Sequence, residues 1–567
     1  VTDAVYYMMD VFKEEQFSSA HLGHLGLVAD KIDDLHIIDL IDNRLPVSEA
    51  HGAKISHGER VAAMIMNGLG FIDNRLYLFP EFLSDKPLDR LFNRPMQAKW
   101  FNDDATGRCL DAISTYGTTK LFTELSLTIG QARGLLGKST HIDTTTLSLF
   151  GDFDQPVVNE AIENDGDNIP WPKQGYAKSG RHDLKQMVLL LATTGAANFP
   201  LWMESHSGNA SDQTTMPAAA VKIKQFCREL ANAPDFIYVG DSAIYANILQ
   251  HSADMFWITR AQEKIKEVRT LVSIPKKDLT WIKLSNGYSY YATTSDYKDV
   301  KQRWLMFFSE AAYHRESKTL DKKIKTEGDS QNKAWWHLSN QVFTCPDDAC
   351  NQAEKQKKLL KFHEATFSIV EVKKYASKGR PKADELPDTI GYQIEFSLSL
   401  NEQKISEMRS RKGRFVLATN QLDETILSNE EVLSEYKGQS GTERGFKFIK
   451  DSTFQVDSVF LKTPSRIDAL MMVMTLCLMV YGVSEFELQQ SMQEKNETIL
   501  SQTKKQTSTP SLRWVYFLFR VVNELSVTRG DQVQKLVVNL NAVLRQIIRH
   551  FGKRASEIYL NPAGAVA

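Results

Sequence analysis

The chain has 567 residues, 42% of them hydrophobic, and carries a formal net charge of −2 at pH 7. This length predicts about three or four domains of roughly 150 residues, with enough apolar residues for folded cores. The charge excludes a protein that holds nucleic acid through an overall basic composition, so any contact with DNA must come from local basic patches.

The N-terminal part of the chain, residues 1–135, is predicted to be helical because it lacks long runs of alternating β-branched residues. Ser56 and Glu59 open the segment 56–68 with the spacing of a capping box, and Gly68 ends it. Residues 119–136 form a second segment with the apolar periodicity of a helix. A helical domain that only packs against the rest of the protein is compatible with this pattern.

Two aspartates occupy distinctive places in the segment that follows. Residues 139–150 are rich in β-branched residues and place Asp143 inside a predicted strand. Residues 235–240 form a short apolar run, and Asp241 follows at its carboxyl end, where α/β sheets bind ligands. Either Asp alone is more typical of a turn or a helix cap. The neighbouring elements are predicted to be strands at 186–193, 199–206 and 255–260 and a helix from about 212 to 232.

An inserted domain is predicted at residues 261–413, because about 200 residues separate Asp241 from Glu443. Residues 281–284 and 287–292 are typical of hairpin strands. Residues 298–382 contain 18 Lys and Arg against 11 Asp and Glu, a net charge of +7, and end in a basic loop that contains Lys378, Arg380 and Lys382. Such a loop can enter a DNA groove, but a solvated, charged helical hairpin explains much of this stretch equally well.

The five cysteines are scattered, which favours a reducing compartment over a disulfide framework. Cys345 and Cys350 are the only close pair. With His337 and His363 they make a zinc site conceivable, but the spacing matches paired zinc ligands poorly. The sequence therefore favours two inert thiols.

The C-terminal part of the chain is predicted to be helical after about residue 455, with a helix at 513–520 and a loose linker at 502–510. Before it, residues 414–420 are predicted to form a strand that carries Phe415. The longest apolar run, residues 469–481, is shorter than the roughly 20 residues that span a bilayer. It predicts a buried helix and no association with a membrane.

The segment 436–450 carries the most informative pattern of the chain. If it is helical, Tyr436, Gln439, Glu443 and Lys450 share one face at about 100° per residue. A carboxylate among phosphate-binding groups suggests metal-assisted phosphoryl transfer on a polyanion. An ordinary solvated helix face is the competing interpretation. Gly438 and Gly441 predict an irregular first turn.

The ordered set of a strand Asp, a strand-end Asp and a late helical Glu resembles the DDE transposases of bacterial insertion sequences. It is most similar to the branch with a Tyr-x2-Arg-x3-Glu-x6-Lys motif, whose enzymes cut DNA through hairpin intermediates. Tyr436, Glu443 and Lys450 match this motif, and Gln439 stands in place of the Arg, as is usual in the most similar subgroup. Residues 175–186 and 208–212 resemble further segments of that family, and the resemblance runs from about residue 20 to about residue 482.

The resemblance implies a fold and a division of the chain. The fold is a mixed-sheet α/β core of the RNase H type, α+β overall, with a large insertion and helical flanks. The expected domains are a helical domain that binds element ends (1–135), the first part of the core (136–260) and the insertion (261–413). The second part of the core with the Glu helix (414–455) and a helical region suited to dimerisation (456–567) follow.

The resemblance also implies a chemistry. Asp143, Asp241 and Glu443 are expected to hold two Mg²⁺ ions, or Mn²⁺ in their place, roughly 3.5–4 Å apart. The partners are double-stranded DNA, as terminal inverted repeats and target, and a second copy of the chain in the DNA complex. Contacts with DNA are expected from Tyr436, Gln439, Lys450, Lys178, Arg181, Lys378, Arg380 and Lys382, and from Phe415, which lies where relatives place a stacking Trp. The competing interpretation is that Lys178 or Arg181 pairs with Asp183 or another surface acid and that Phe415 is an ordinary core residue.

Two alternatives belong to other classes of protein. One is a DNA-binding protein that kept the fold and lost catalysis, which the three intact carboxylates argue against. The other is a host nuclease with an RNase H-like core, which the long insertion and the 436–450 pattern disfavour. For the transposase, we expect a bacterial cytoplasmic protein that is associated with the nucleoid when it is bound to DNA.

Overall fold

A computed structural model of the protein describes residues 15–47, 54–70, 79–150, 153, 169–176, 180–229, 235–374, 389–451, 461, 463–529 and 532–561. The chain forms two compact units, Val1–Thr259 with Ser434–Ala567 and Arg260–Leu433. The three predicted carboxylates all belong to the first unit.

The N-terminal part of the first unit is mainly helical, as predicted. Ser56 Oγ accepts the Glu59 backbone N–H at 3.1 Å, and Glu59 in turn accepts the Ser56 N–H at 2.8 Å, so the predicted capping box is confirmed. One strand precedes the helices, which corrects the expectation of a wholly helical region. The elements are β1 (Glu15–His21), α1 (Leu25–Asp34), α2 (Ile37–Asp42), α3 (His57–Leu69), α4 (Phe79–Ser84), α5 (Leu88–Phe92), α6 (Asp103–Tyr116) and α7 (Thr118–Ala132).

A mixed sheet follows in the first unit, and its order confirms the predicted α/β core. Its elements are β2 (Ser139–Leu149), β3 (Lys185–Thr194), β4 (Phe199–Ser207), α8 (Asp212–Glu229), β5 (Ile237–Gly240), α9 (Tyr245–Ile248) and β6 (Trp257–Ala261). The strand order is β4-β3-β2-β5-β6. β2, β3 and β4 form an antiparallel meander, whereas β5 is parallel to both β2 and β6. This is the three-stranded meander followed by parallel strands that the RNase H type of core requires.

The second unit contains the predicted insertion and strands of two sheets. Its elements are α10 (Lys266–Ser273), β7 (Ile282–Lys283), β8 (Tyr288–Ser295), β9 (Gln302–Ser309), α11 (Glu310–Ser339), α12 (Pro346–Lys357), β10 (His363–Lys374), β11 (Thr389–Leu400), α13 (Glu402–Ser410) and β12 (Arg414–Thr419). Within this unit the strands follow the order β12-β9-β8-β7, and β10 pairs with β11 in a separate hairpin. β12 pairs with β9 along its whole length and falls within the second unit, which ends at Leu433.

Helices α11 and α12 pack on the β10–β11 hairpin, around a small core of their own. Trp335 is fully buried and stacks on Phe396 with 5.5 Å between ring centroids. The basic stretch is thus a helical hairpin with one apolar side, which is part of what the competing interpretation predicted.

The C-terminal part of the chain corrects the prediction that residues 456–567 are wholly helical. It contains α14 (Asn429–Gly438), α15 (Ser440–Ile449), α16 (Pro464–Glu494), β13 (Ile499–Leu500), β14 (Gln506–Thr507), α17 (Leu512–Phe519), β15 (Asn523–Arg529), β16 (Gln532–Val538), α18 (Ala542–Ile548) and α19 (Lys553–Leu560). The expected loose linker at 502–510 instead begins with the β13–β14 hairpin. β15 pairs with β16 on one side and with β1 on the other.

Helix α16 is the central helix of the first unit. By length and composition it qualifies as a membrane-spanning helix, but 78% of its most apolar window is buried inside the protein. It packs on α3, α6, α7 and β4, and many of its residues belong to the largest apolar core. The predicted buried helix is confirmed.

Candidate active site

Two of the three predicted acids lie at the same level of neighbouring strands. β2 and β5 are parallel, and Ile142 lies opposite Gly240 in their register. The next residue on the first strand is Asp143, and the next residue after the second strand is Asp241. Both side chains are half-buried. The structure therefore places Asp143 and Asp241 side by side on neighbouring strands, at the carboxyl end of β5.

Each of these carboxylates is oriented by a backbone amide. Thr144 N–H donates to Asp143 Oδ1 at 2.7 Å, and Ala243 N–H donates to Asp241 Oδ1 at 2.8 Å. Thr259 Oγ1 on β6 donates to the Asp241 carbonyl at 2.7 Å, which fixes the backbone where β5 ends. A carboxylate offers about four lone-pair sites, so one backbone bond does not by itself prevent it from binding a ligand.

The third acid, Glu443, lies on α15, which covers this face of the sheet. Side chains alternate along a strand, so His141 and Asp143 point to the same face of β2. Thr442, next to Glu443, bonds Thr193 Oγ1 at 2.6 Å and donates to the His141 carbonyl at 3.3 Å. These contacts seat α15 on β2 and β3 beside Asp143.

The end of α14 is also tied to β2. His141 Nε2–H donates to the Glu435 carbonyl at 2.8 Å, and the Ser139 hydroxyl donates to the Glu435 carboxylate. Burial lowers the pKa of His141, so the ring is neutral at pH 7 and carries the proton that this bond needs. His141 and Ser139 are positioning residues that sequence reasoning did not find, since they read as ordinary members of a strand.

Two glycines allow α14 and α15 to approach the sheet closely. A Cβ atom at Gly438 would lie 2.7 Å from His141 Nε2, and one at Gly441 would lie 1.8 Å from Asn198 Oδ1. Both distances are too short for carbon. The glycines that weaken the helix in sequence are thus required by packing.

The segment 436–450 is two helices rather than one. α14 ends at Gly438 and α15 begins at Ser440, with Gln439 as the N-cap between them. As a result Gln439 is only 8% exposed, whereas Glu443 and Lys450 are exposed and Tyr436 is half-buried. Gln439 is therefore buried, whereas the other three residues keep exposed surface.

The exposed arc of α15 is richer in cations than the sequence analysis noted. Lys447 lies one turn after Glu443, and both are exposed together with Arg444 and Lys450. At about 100° per residue, Glu443, Lys447 and Lys450 fall on one side of the helix. The i,i+4 spacing of Glu443 and Lys447 was the signal that could have identified this cation.

The donor chemistry fits a hard divalent ion, since all three candidate ligands are carboxylates. The two aspartates converge in the structure. However, within the described ranges no group of three or more His, Cys, Asp or Glu side chains is arranged to hold a metal ion. The set is thus two converging aspartates with the glutamate on the helix above them.

Other predicted residues have mixed outcomes. Lys178, Lys378, Arg380 and Lys382 lie outside the described residues. Arg181 pairs with Asp183 through two bonds of 2.8 and 2.6 Å, as the competing interpretation of Arg181 allowed.

Phe415 is half-buried in the second unit. Its ring stacks on Phe307 at 5.6 Å and meets the edge of Tyr288 at 6.4 Å between centroids, with the Arg260 guanidinium 5.7 Å away. It is thus part of the packing of its sheet and still has exposed surface.

The two segments noted between the first and second Asp meet at the sheet. Gln186 Nε2 donates to the Gly208 carbonyl at 2.8 Å, and a Cβ atom at Gly208 would lie 2.0 Å from the Gln186 carbonyl oxygen. Asp212 Oδ1 accepts the Thr144 hydroxyl at 2.6 Å. These segments therefore help to fix β2 directly beside Asp143.

Comparisons with known proteins give a family for most of the sequence. A family model described as a transposase DDE domain matches residues 158–480, and a domain of unknown function, DUF4277, matches residues 17–127. Asp241 and Glu443 lie within the transposase match, whereas Asp143 precedes it. No curated protein matches the sequence significantly.

Among solved structures, the chain is similar to a piggyBac transposase in a synaptic complex with hairpin DNA, determined by cryo-electron microscopy. The sequence identity is 10%, the alignment covers 96% of this chain and 88% of that chain, and the TM-score is 0.36. A similarity of this size carries no weight for the site. The family match alone covers more than half of the chain, and the protein therefore belongs to the transposase DDE domain family.

Proposed function

We propose that the protein cuts and joins the ends of an insertion sequence by metal-dependent phosphoryl transfer, with Asp143, Asp241 and Glu443 as the metal ligands. The observation that carries this proposal is the placement of Asp143 and Asp241 at one level of two parallel strands. The helix with Glu443 is seated on the same face by Thr442. Membership of the transposase family supports the same reading.

The ligand set suits two Mg²⁺ ions, for which Mn²⁺ can substitute. Bound ions would supply an activated oxygen nucleophile and stabilise the leaving oxygen. The chain itself holds the two aspartates by backbone amides, which orient one oxygen of each. Glu443 would complete the set from α15.

Contacts with DNA are proposed along the exposed arc of α15. Lys447 and Lys450 would hold backbone phosphates beside the carboxylates, with Tyr436 at the preceding turn. The burial of Gln439 argues against a direct phosphate contact for that residue. Lys178, Arg181 and the loop with Lys378, Arg380 and Lys382 are proposed as further DNA contacts.

The same proposal assigns the DNA substrate and the assembly. The N-terminal region would bind the terminal inverted repeats, two copies of the chain would act together on DNA, and the cut would pass through a hairpin. A hairpin forces terminal bases out of the stack, and Phe415 would provide an aromatic surface for one of them. The exposed part of its ring supports this assignment.

The test uses a labelled duplex that ends in the element sequence, together with a second, unlabelled duplex as target. With Mg²⁺ the protein should cut the labelled duplex and join it to the target, and a chelator should stop both steps. Binding without cutting would identify an inactive DNA-binding protein. Cutting without joining would identify a nuclease, and either result would overturn the proposal.

A further inference from the structure

The C-terminal segment carries a clear excess of basic residues. Residues 495–567 contain 11 Lys and Arg against 4 Asp and Glu, a net charge of +7 in a chain of −2. The basic stretch of the insertion reaches the same net charge over a longer sequence. A local excess of this size is the electrostatic signature of a surface that contacts a polyanion.

A small hairpin and two helices support these cations. The Trp514 indole N–H on α17 donates to the Leu500 carbonyl on β13 at 2.8 Å, which fixes the β13–β14 hairpin beside α17. The Gln546 amide on α18 donates to the Glu497 carboxylate at 2.8 Å, just before the hairpin. Helices α17 and α18 are also in contact with each other. The hairpin and both helices thus form one structure.

Five exposed cations project from this structure, and together they define the C-terminal basic surface. They are Lys504 and Lys505 at the turn of the hairpin, Arg520 at the end of α17, Arg545 on α18 and Arg549 at the C-cap of α18. None of the five makes an ion pair with an acid in the part of the chain that the structure describes. By contrast, Arg554 and Lys535 nearby are paired with acids. The five charges are therefore not neutralised internally.

Arg520 is held in place before any partner binds. Its guanidinium lies 3.6 Å from the centre of the Phe517 ring and donates to the Phe517 carbonyl at 2.9 Å. Phe517 in turn stacks on Trp514 with 5.4 Å between centroids. A cation fixed on an aromatic ring loses less side-chain entropy when it meets a phosphate.

We propose that the C-terminal basic surface binds duplex DNA through its phosphate backbone, apart from the carboxylate site. This proposal rests on the proposed function in one respect only, which is that the polyanion is DNA. Exposed, unneutralised cations carried by a hairpin and two helices are the groups that contact backbone phosphates. An interface between copies of the chain is disfavoured, because it would bring the same unpaired positive charges together.

The test measures the salt dependence of binding to a labelled duplex of arbitrary sequence. Two double variants, Lys504→Gln with Lys505→Gln and Arg545→Gln with Arg549→Gln, each remove two exposed charges. Each lost phosphate contact lowers the slope of log K against log salt by about 0.9, so each double variant should lower it by about 1.8. Lys504→Arg with Lys505→Arg should restore the slope, because it keeps the charge.

The matched control is Arg228→Gln with Lys553→Gln, which also removes two exposed charges, both paired with acids in the structure. This control should leave the slope unchanged. Unchanged slopes in both test variants would overturn the proposal. So would test variants whose DNA complex loses the mass of the second copy of the chain while the slope stays unchanged. Cutting by the wild-type protein is measured separately, so a failure of the basic surface and a failure of the transposase assignment give different results.

Discussion

The carboxylate site and the C-terminal basic surface lie in the same unit but are built in opposite ways. Around Asp143 and Glu443 the side chains are held by hydrogen bonds. Thr442, His141 and Ser139 each form a hydrogen bond between the sheet and helix α14 or α15. On the basic surface the five cations are exposed and make no ion pairs within the described residues, and only Arg520 is held in place, by the ring and carbonyl of Phe517. Cleavage requires side chains held in fixed positions, whereas phosphate binding requires positive charge. Substitutions should therefore separate cutting from binding.

The largest effect is expected from the carboxylates. Asp143→Asn, Asp241→Asn and Glu443→Gln should each abolish cleavage and leave binding of the element end largely intact, because each removes a metal ligand and keeps the side-chain shape. Both quantities are measured on one labelled duplex. Full cleavage by one of these variants would remove that residue from the site.

A second large effect is expected from the basic end of the insertion, this time on binding. Neutralising Lys373, Lys374, Lys378, Arg380 and Lys382 together should lower the salt slope by up to about 4.5, at about 0.9 per lost contact. Lys373 is paired with Glu371 at 3.5 Å, so it should contribute less than the others. If the slope does not change, this cluster is a solvated surface that does not contact DNA. The C-terminal basic surface would then be the remaining proposed basic contact of the two.

An intermediate effect on cutting is expected from the close approach of α15 to the sheet. Gly441→Ala places a Cβ atom 1.8 Å from Asn198 Oδ1, so the helix or the turn must shift. A displacement of about 1 Å costs on the order of 10–100-fold in rate. Cleavage should fall by this factor while binding is retained.

The control for this prediction is Gly482→Ala on α16, where the added Cβ would lie 3.5 Å from the Ala197 carbonyl oxygen, an ordinary contact. It should leave cleavage unchanged and stabilise the helix by up to about 1 kcal/mol. Equal rates for Gly441→Ala and Gly482→Ala would show that the seating of α15 does not matter for cutting.

The smallest effect is expected at Phe415. Base stacking on an aromatic ring contributes about 1–3 kcal/mol, so Phe415→Ala should reduce the closed hairpin species on a denaturing gel roughly fivefold or more, with less effect on first-strand nicking. Phe415→Leu, which keeps most of the packing on Phe307, should show the same loss, and Phe415→Trp should retain the hairpin. Double-strand breaks without any closed species would reject the hairpin route and leave the metal site standing.

The sequence predicted the sheet core well, because its signals are local. β2, β3, β4 and β5 are each a run of apolar or β-branched residues, and the position of Asp241 after such a run needed no tertiary information. The burial of Gln439 could not be predicted, since it depends on the break between α14 and α15 and on the fit of Gly438 against His141.

The C-terminal strands were missed for a different reason. β13 and β14 have two residues each, too few for periodicity, and β15 is completed by pairing with β1 at the other end of the chain. Lys504 and Lys505 were therefore assigned to a loose linker, although they lie at the turn of a hairpin that Trp514 holds in place. Pairing between distant parts of the chain, and not composition, gives the C-terminal segment its defined structure.

The central claim is that Asp143, Asp241 and Glu443 form one metal site. Fe²⁺ bound in place of Mg²⁺, with ascorbate and peroxide, generates radicals that cut the protein backbone next to the ion. The account predicts fragments that end near residues 143, 241 and 443. These fragments should disappear with excess Mg²⁺ and in Asp143→Asn with Asp241→Asn. Cuts that fall elsewhere, or that persist in the double variant, would contradict it.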